Sequence, residues 1–71
     1  MAYILTPLGK SSAIHLGVPH DLESSLLVYM YEHPEPLEVD ELVGELNSTE
    51  TAVLREISRQ LNKASPYVKE V

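Results

Sequence analysis

Residues 42–63 read Leu-Val-Gly-Glu-Leu-Asn-Ser-Thr-Glu-Thr-Ala-Val-Leu-Arg-Glu-Ile-Ser-Arg-Gln-Leu-Asn-Lys. The stretch predicts a short helix, a tight polar turn and a longer helix. In the longer helix Val53, Leu54, Ile57, Leu61 and Ala64 recur at the spacing that lines one side of a helix. Arg55, Arg59 and Lys63 stand four apart and predict a cationic stripe on the other side. These are three of only five basic residues in a chain of net charge −6.

The charge is unevenly placed. Residues 1–20 carry +1, residues 21–50 carry −9 with no Lys or Arg, and residues 51–71 carry +2. Net acidity argues against nucleic acid, but local charge decides what a surface can touch. At 71 residues the chain holds a single domain, residues 1–71. A chain this small is marginal alone, so a helical core, a partner or both must supplement it. The absence of cysteine excludes disulfides and thiolate metal sites and suits a cytoplasmic location. No apolar run reaches membrane-spanning length, and the amino end does not read as a secretory signal.

Outward from the opening stretch, Glu38 to Leu46 reads as the preceding helix, with Val39, Leu42, Val43 and Leu46 inward. Its acids near the start favour the helix dipole. Asn47, Ser48 and Thr49 are all N-capping types, and Asn47 with Glu50 has capping-box spacing. Asp21 to His33 reads as a largely buried helix capped by Asp21, and the prolines at 34 and 36 end it. Leu37 reads as a bridge at the edge of the sheet or core. Ala2 to Thr6 is a short strand, and Pro7 with Gly9 reads as the turn that closes it. Residues 10–17 fit one helical turn or a packed loop. Tyr67 to Val71 alternates and predicts a terminal strand. The two strands are natural partners, within one chain or between two.

Leu42, Leu46, Thr49, Val53 and Ile57 hold the register of a helix-turn-helix core: two helices joined by a brief turn and buried on a third. Residues 21–71 resemble the helix-turn-helix of winged-helix transcription regulators of the archaeal and bacterial type. Asn47 stands where glycine is common in that family, and Ser65-Pro66-Tyr67-Val68 replaces its usual Gly-Leu-Val. The second wing strand is missing after Val71. Residues 3–10, Tyr-Ile-Leu-Thr-Pro-Leu-Gly-Lys, resemble the segment that closes the wing in such regulators, here placed ahead of the first helix. The expected fold is therefore mainly α with a minimal β-sheet: a winged-helix-like three-helix core with short N- and C-terminal strands.

The resemblance implies a DNA-binding transcription regulator whose third helix, about residues 49–64, enters the major groove of double-stranded DNA. Thr51, Arg55, Ser58, Arg59, Asn62 and Lys63 would face the duplex, Ser48 and Thr49 would hold a phosphate, and Lys69 would lie along the backbone. The bland reading is a solvated helix face with Arg59 paired to Glu56. The acids of the second helix pull against DNA, since they would stand near phosphates. The runner-up is accordingly a protein-interaction or dimerisation module of the same fold without DNA binding, whose acidic 21–50 face meets a basic protein partner. A homodimer is expected, with Tyr31 beside Leu27 a candidate contact.

Other motifs carry less. Gly9-Lys10-Ser11 lacks the glycine a phosphate loop needs, because Ile4 stands in its place. His15, His20 and His33, with Asp21, Glu32 or Glu35, show no ligand spacing, so no metal or cofactor is expected. Ser24 and Ser25 near His20 and Asp21 supply triad residue types without an orienting framework, and first-turn helix chemistry explains them better. No enzyme is expected.

Overall fold

The computed structural model describes residues 1–71. In chain order the elements are β1 (Ala2–Leu5), α1 (Pro7–Leu16), α2 (Leu22–Glu32), β2 (Leu37–Glu38), α3 (Val39–Leu46), α4 (Glu50–Leu61) and β3 (Val68–Glu70). The fold is mainly helical, with a three-stranded antiparallel sheet in the order β2-β1-β3. No helix is long and apolar enough to cross a membrane.

The sheet answers the question of strand partners. Tyr3 lies opposite Glu70, Ile4 opposite Lys69 and Leu5 opposite Val68, all within one chain. The amino-terminal strand thus pairs with the carboxy-terminal one in cis. On its other edge β1 pairs with the two residues of β2, Ala2 opposite Glu38 and Tyr3 opposite Leu37. Side chains alternate across a strand. Tyr3, Leu5 and Val68 therefore turn together into the core, while Ile4 and Lys69 share the other face.

The core joins those three side chains to Ala13, Leu26, Leu27, Met30, Leu37, Leu42, Val53 and Ile57. Leu37 thus bridges sheet and helices, at 1 % exposure. Leu27 belongs to this interior and not to a surface patch with the exposed Tyr31. The predicted inner face of α4 is corrected at two positions. Leu54 is 39 % exposed, and α4 ends at Leu61, leaving Ala64 exposed beyond it.

Residues 7–16 form a full helix, where the sequence left one turn or a loop open and read Pro7-Leu8-Gly9 as a turn. Proline fits the first helical position, where its missing N–H has no intrahelical partner anyway. Thr6 supplies the cap: its Oγ1 accepts the Gly9 N–H at 3.0 Å and donates to the Pro66 carbonyl at 2.7 Å. The Thr6 N–H also donates to the Tyr67 carbonyl at 2.9 Å. Gly9 is helical and buried because the backbone of Tyr67 crosses against it; a Cβ there would stand 2.0 Å from the Tyr67 oxygen. Residues 6–9 are therefore a latch between α1 and the start of β3. Gly17, at φ 67°, ends the helix.

The remaining caps are local. Asp21 caps α2 through a capping box with Ser24, whose N–H donates to Oδ1 at 2.8 Å while its Oγ accepts the Asp21 N–H at 3.1 Å. This is the first-turn chemistry expected of Ser24. His33 closes α2, its ring stacked on Tyr29 at 4.1 Å and its Nδ1 3.0 Å from the Tyr29 carbonyl. Between α3 and α4 Asn47 does not pair with Glu50 in a capping box. It takes the left-handed conformation, φ 51° and ψ 48°, and Thr49 caps α4 by accepting the Ala52 N–H at 3.1 Å.

Candidate nucleic-acid interface

The helix α4 is held by Val53 and Ile57, both buried against the core. Thr51, Arg55 and Ser58 are exposed on α4, and Asn62 is exposed at its carboxy-terminal cap. Arg55 makes no ion pair. Thr49 is exposed with its Oγ1 engaged at the cap, and Ser48 is half-buried with its N–H donated to the Val43 carbonyl at 3.2 Å. That N–H is therefore spent inside the turn and not presented to a phosphate. Lys69 is exposed on the sheet face opposite the core.

Arg59 and Lys63 are placed differently from the predicted stripe. A spacing of four overshoots a 3.6-residue turn by roughly 40°. Arg59 consequently turns from Arg55 toward the flank that faces α2, and Lys63, two residues past the end of the helix, joins it there. There Glu23 Oε2 accepts from Arg59 at 2.7 Å, from Gln60 Nε2 at 2.6 Å and from Lys63 at 3.4 Å. Glu56 Oε2 accepts from the same Arg59 nitrogen at 2.8 Å and from Gln60 Nε2 at 2.8 Å. Lys63 also stands 4.2 Å above the ring of Tyr67.

Sequence reasoning reached the Arg59–Glu56 pair but missed Glu23 and Gln60. A signal existed: Gln60 sits three residues after Ile57, at a helix position that turns inward, and a polar side chain there needs a partner. Gln60 is fully buried, and its Oε1 has no hydrogen-bond partner. The two carboxylates fix the orientation of its amide, since the reversed amide would set oxygen against oxygen.

The titration behaviour follows from the contacts. Burial pushes the Glu23 carboxyl up, but hydrogen bonds from Gln60, Lys63 and Arg59 together outweigh it and hold the group below its ordinary value. The Arg59 guanidinium is raised by its hydrogen bond to Glu56, then by the charges of Glu56 and Glu23. The Asp21 carboxyl is lowered, chiefly by the backbone N–H of Ser24. The Tyr29 hydroxyl is raised by desolvation and then by the charges of Glu45, Glu41 and Glu35. An acidic field thus spreads over α3 and the loop before it. Asp40, Glu41 and Glu45 on that helix form no ion pair.

No protein-family model, curated protein or solved structure matches this chain.

Proposed function

We propose that this chain is a protein-interaction module of winged-helix-like fold, working in the cytoplasm without a catalytic step and meeting a basic partner with its acidic surface. The observation that carries this reading is the capture of Arg59 and Lys63 by Glu23, with Glu56 sharing Arg59. DNA affinity depends on cations free to displace counterions from phosphates. Here two of the three α4 cations are already neutralised, and the adjoining α3 presents unpaired carboxylates. A basic protein surface fits that distribution better than a duplex does.

Double-stranded DNA is the second reading, favoured by one specific feature. Arg55 is exposed and unpaired among Thr51, Ser58 and Asn62, and arginine and asparagine are the side chains suited to base edges. On that reading Arg59 and Lys63 exchange Glu23 for phosphate on binding, as a DNA-binding transcription regulator would require.

A fluorescence-anisotropy titration of a generic duplex at about 50 and about 200 mM salt separates the two. The interaction reading expects no binding at the lower concentration. Binding that falls steeply with salt, and is lost in the Arg55→Ala/Arg59→Ala double variant, overturns it in favour of DNA.

A further inference from the structure

A concavity of about 300 Å³ opens where β1, the start of α3 and one flank of α4 meet. Met1, Tyr3, Val39 and Leu54 form its apolar lining, and Glu38, Asp40 and Glu50 complete it. Tyr3 is a core residue seen through the floor, whereas Leu54 and Met1 are uncovered. Leu54 lies on the flank of α4 away from Glu23, so the ion pairs of Arg59 and Lys63 do not cover it. Of the three carboxylates only Glu38 has a cation, the α-amino group of Met1 at 3.0 Å.

First-turn placement on α3 and α4 accounts for Asp40 and Glu50 through the helix dipole. It does not account for the apolar floor left open between them. It also excludes an anionic occupant, because the positive ends of both helices already face carboxylates of the chain itself.

We propose that this groove seats a segment of a partner protein that offers one large apolar side chain flanked by lysine or arginine. The proposal rests on the interaction-module reading and names the partner's chemistry. The volume lies at the small end of ligand sites, enough for a single anchoring side chain. One such anchor in a desolvated pocket carries much of the affinity of many interfaces. Flanking cations answer Asp40 and Glu50, which have no counter-ion within the chain, and such rim charges steer and select a partner.

The test is an amide-resolved NMR titration of the full chain with the N-acetylated, C-amidated peptide Lys-Lys-Phe-Lys-Lys. Two control peptides replace the central Phe by Ser or the four Lys by Glu. The proposal expects shifts concentrated at Tyr3, Val39, Asp40, Glu50 and Leu54, with the Phe peptide binding about tenfold more tightly than either control. Leu54→Gln, a change at a partly exposed position outside the core, should abolish the preference for Phe over Ser while leaving the rest of the spectrum in place.

Equal response to Phe and Ser, spread over Glu35, Glu41 and Glu45, overturns the groove but leaves the interaction reading standing. No shift with any peptide also overturns the groove, and the duplex titration then judges the broader reading separately. Groove shifts that grow with protein concentration in the absence of peptide identify the occupant as a second copy and overturn the proposal as well.

Discussion

At the residue scale, three positions have consequences out of proportion to their size. Alanine ordinarily favours a helix over glycine by about 1 kcal/mol. At Gly9 the sign reverses, because the new Cβ meets the Tyr67 carbonyl. Gly9→Ala is expected to lose at least about 2 kcal/mol in urea denaturation, since α1 or β3 must move. Its neighbour Thr6 both caps α1 and ties it to Pro66. Thr6→Ala should cost about 1–2 kcal/mol, and Thr6→Ser should restore most of it. Glu23 governs the acid limb. Its native carboxyl titrates below the ordinary value of 4.5, so its stabilising effect is complete above that value and is lost as pH falls through the lower native one. Urea midpoints measured across that window should fall for the wild type and fall less steeply for Glu23→Gln.

At the scale of elements, the α3–α4 turn and the α2–α4 contact set what α4 presents. Asn47 is the one non-glycine residue at positive φ. Asparagine tolerates that conformation, so the turn is made without glycine. Asn47→Ala should cost about 1 kcal/mol and Asn47→Gly almost nothing, as read from thermal unfolding. The α2–α4 contact is polar where a helix pair of this kind is ordinarily apolar, with Gln60 buried between two carboxylates. Its components were visible in the sequence, but their meeting was not. Glu23 and Gln60 are 37 residues apart, and no local pattern states that the first turn of α2 lies beside the last turn of α4. The helix α1 is hidden for the opposite reason: Pro7 and Gly9 read together as breakers, yet Pro7 suits the first helical position and only the crossing of Tyr67 shows why Gly9 follows it.

At the scale of the whole molecule, the sheet closes within one chain. Strand exchange should therefore add no dependence of Tm on protein concentration, and a Tm that rises with concentration would report a dimer formed through another surface. The Val71 N–H donates to the Ala2 carbonyl at 3.0 Å, which places the two ends of the chain side by side. A circular permutant that joins residue 71 to residue 1 by a short glycine-containing turn, with new ends between Gly17 and His20, should fold cooperatively. That permutant makes β3 and β1 a continuous hairpin. Failure to fold would show that β1 needs its free amino end, whose charge pairs with Glu38. Nine of the eleven acidic residues lie in residues 21–50, so association of the intact molecule with a basic partner should weaken as salt is raised.

The sequence by itself determined the helices from Asp21 to Leu61, the burial of Val53 and Ile57, the terminal strands and the division of charge. Each is written in neighbours within a turn or two, where side-chain spacing and capping act directly. Only the tertiary structure decided which way Arg59 and Lys63 turn, that Leu54 stays open beside Asp40 and Glu50, and that β1 lies between β2 and β3. Those outcomes depend on distances between residues far apart in the chain, and they exist only once the core has brought α2, α4 and the sheet together.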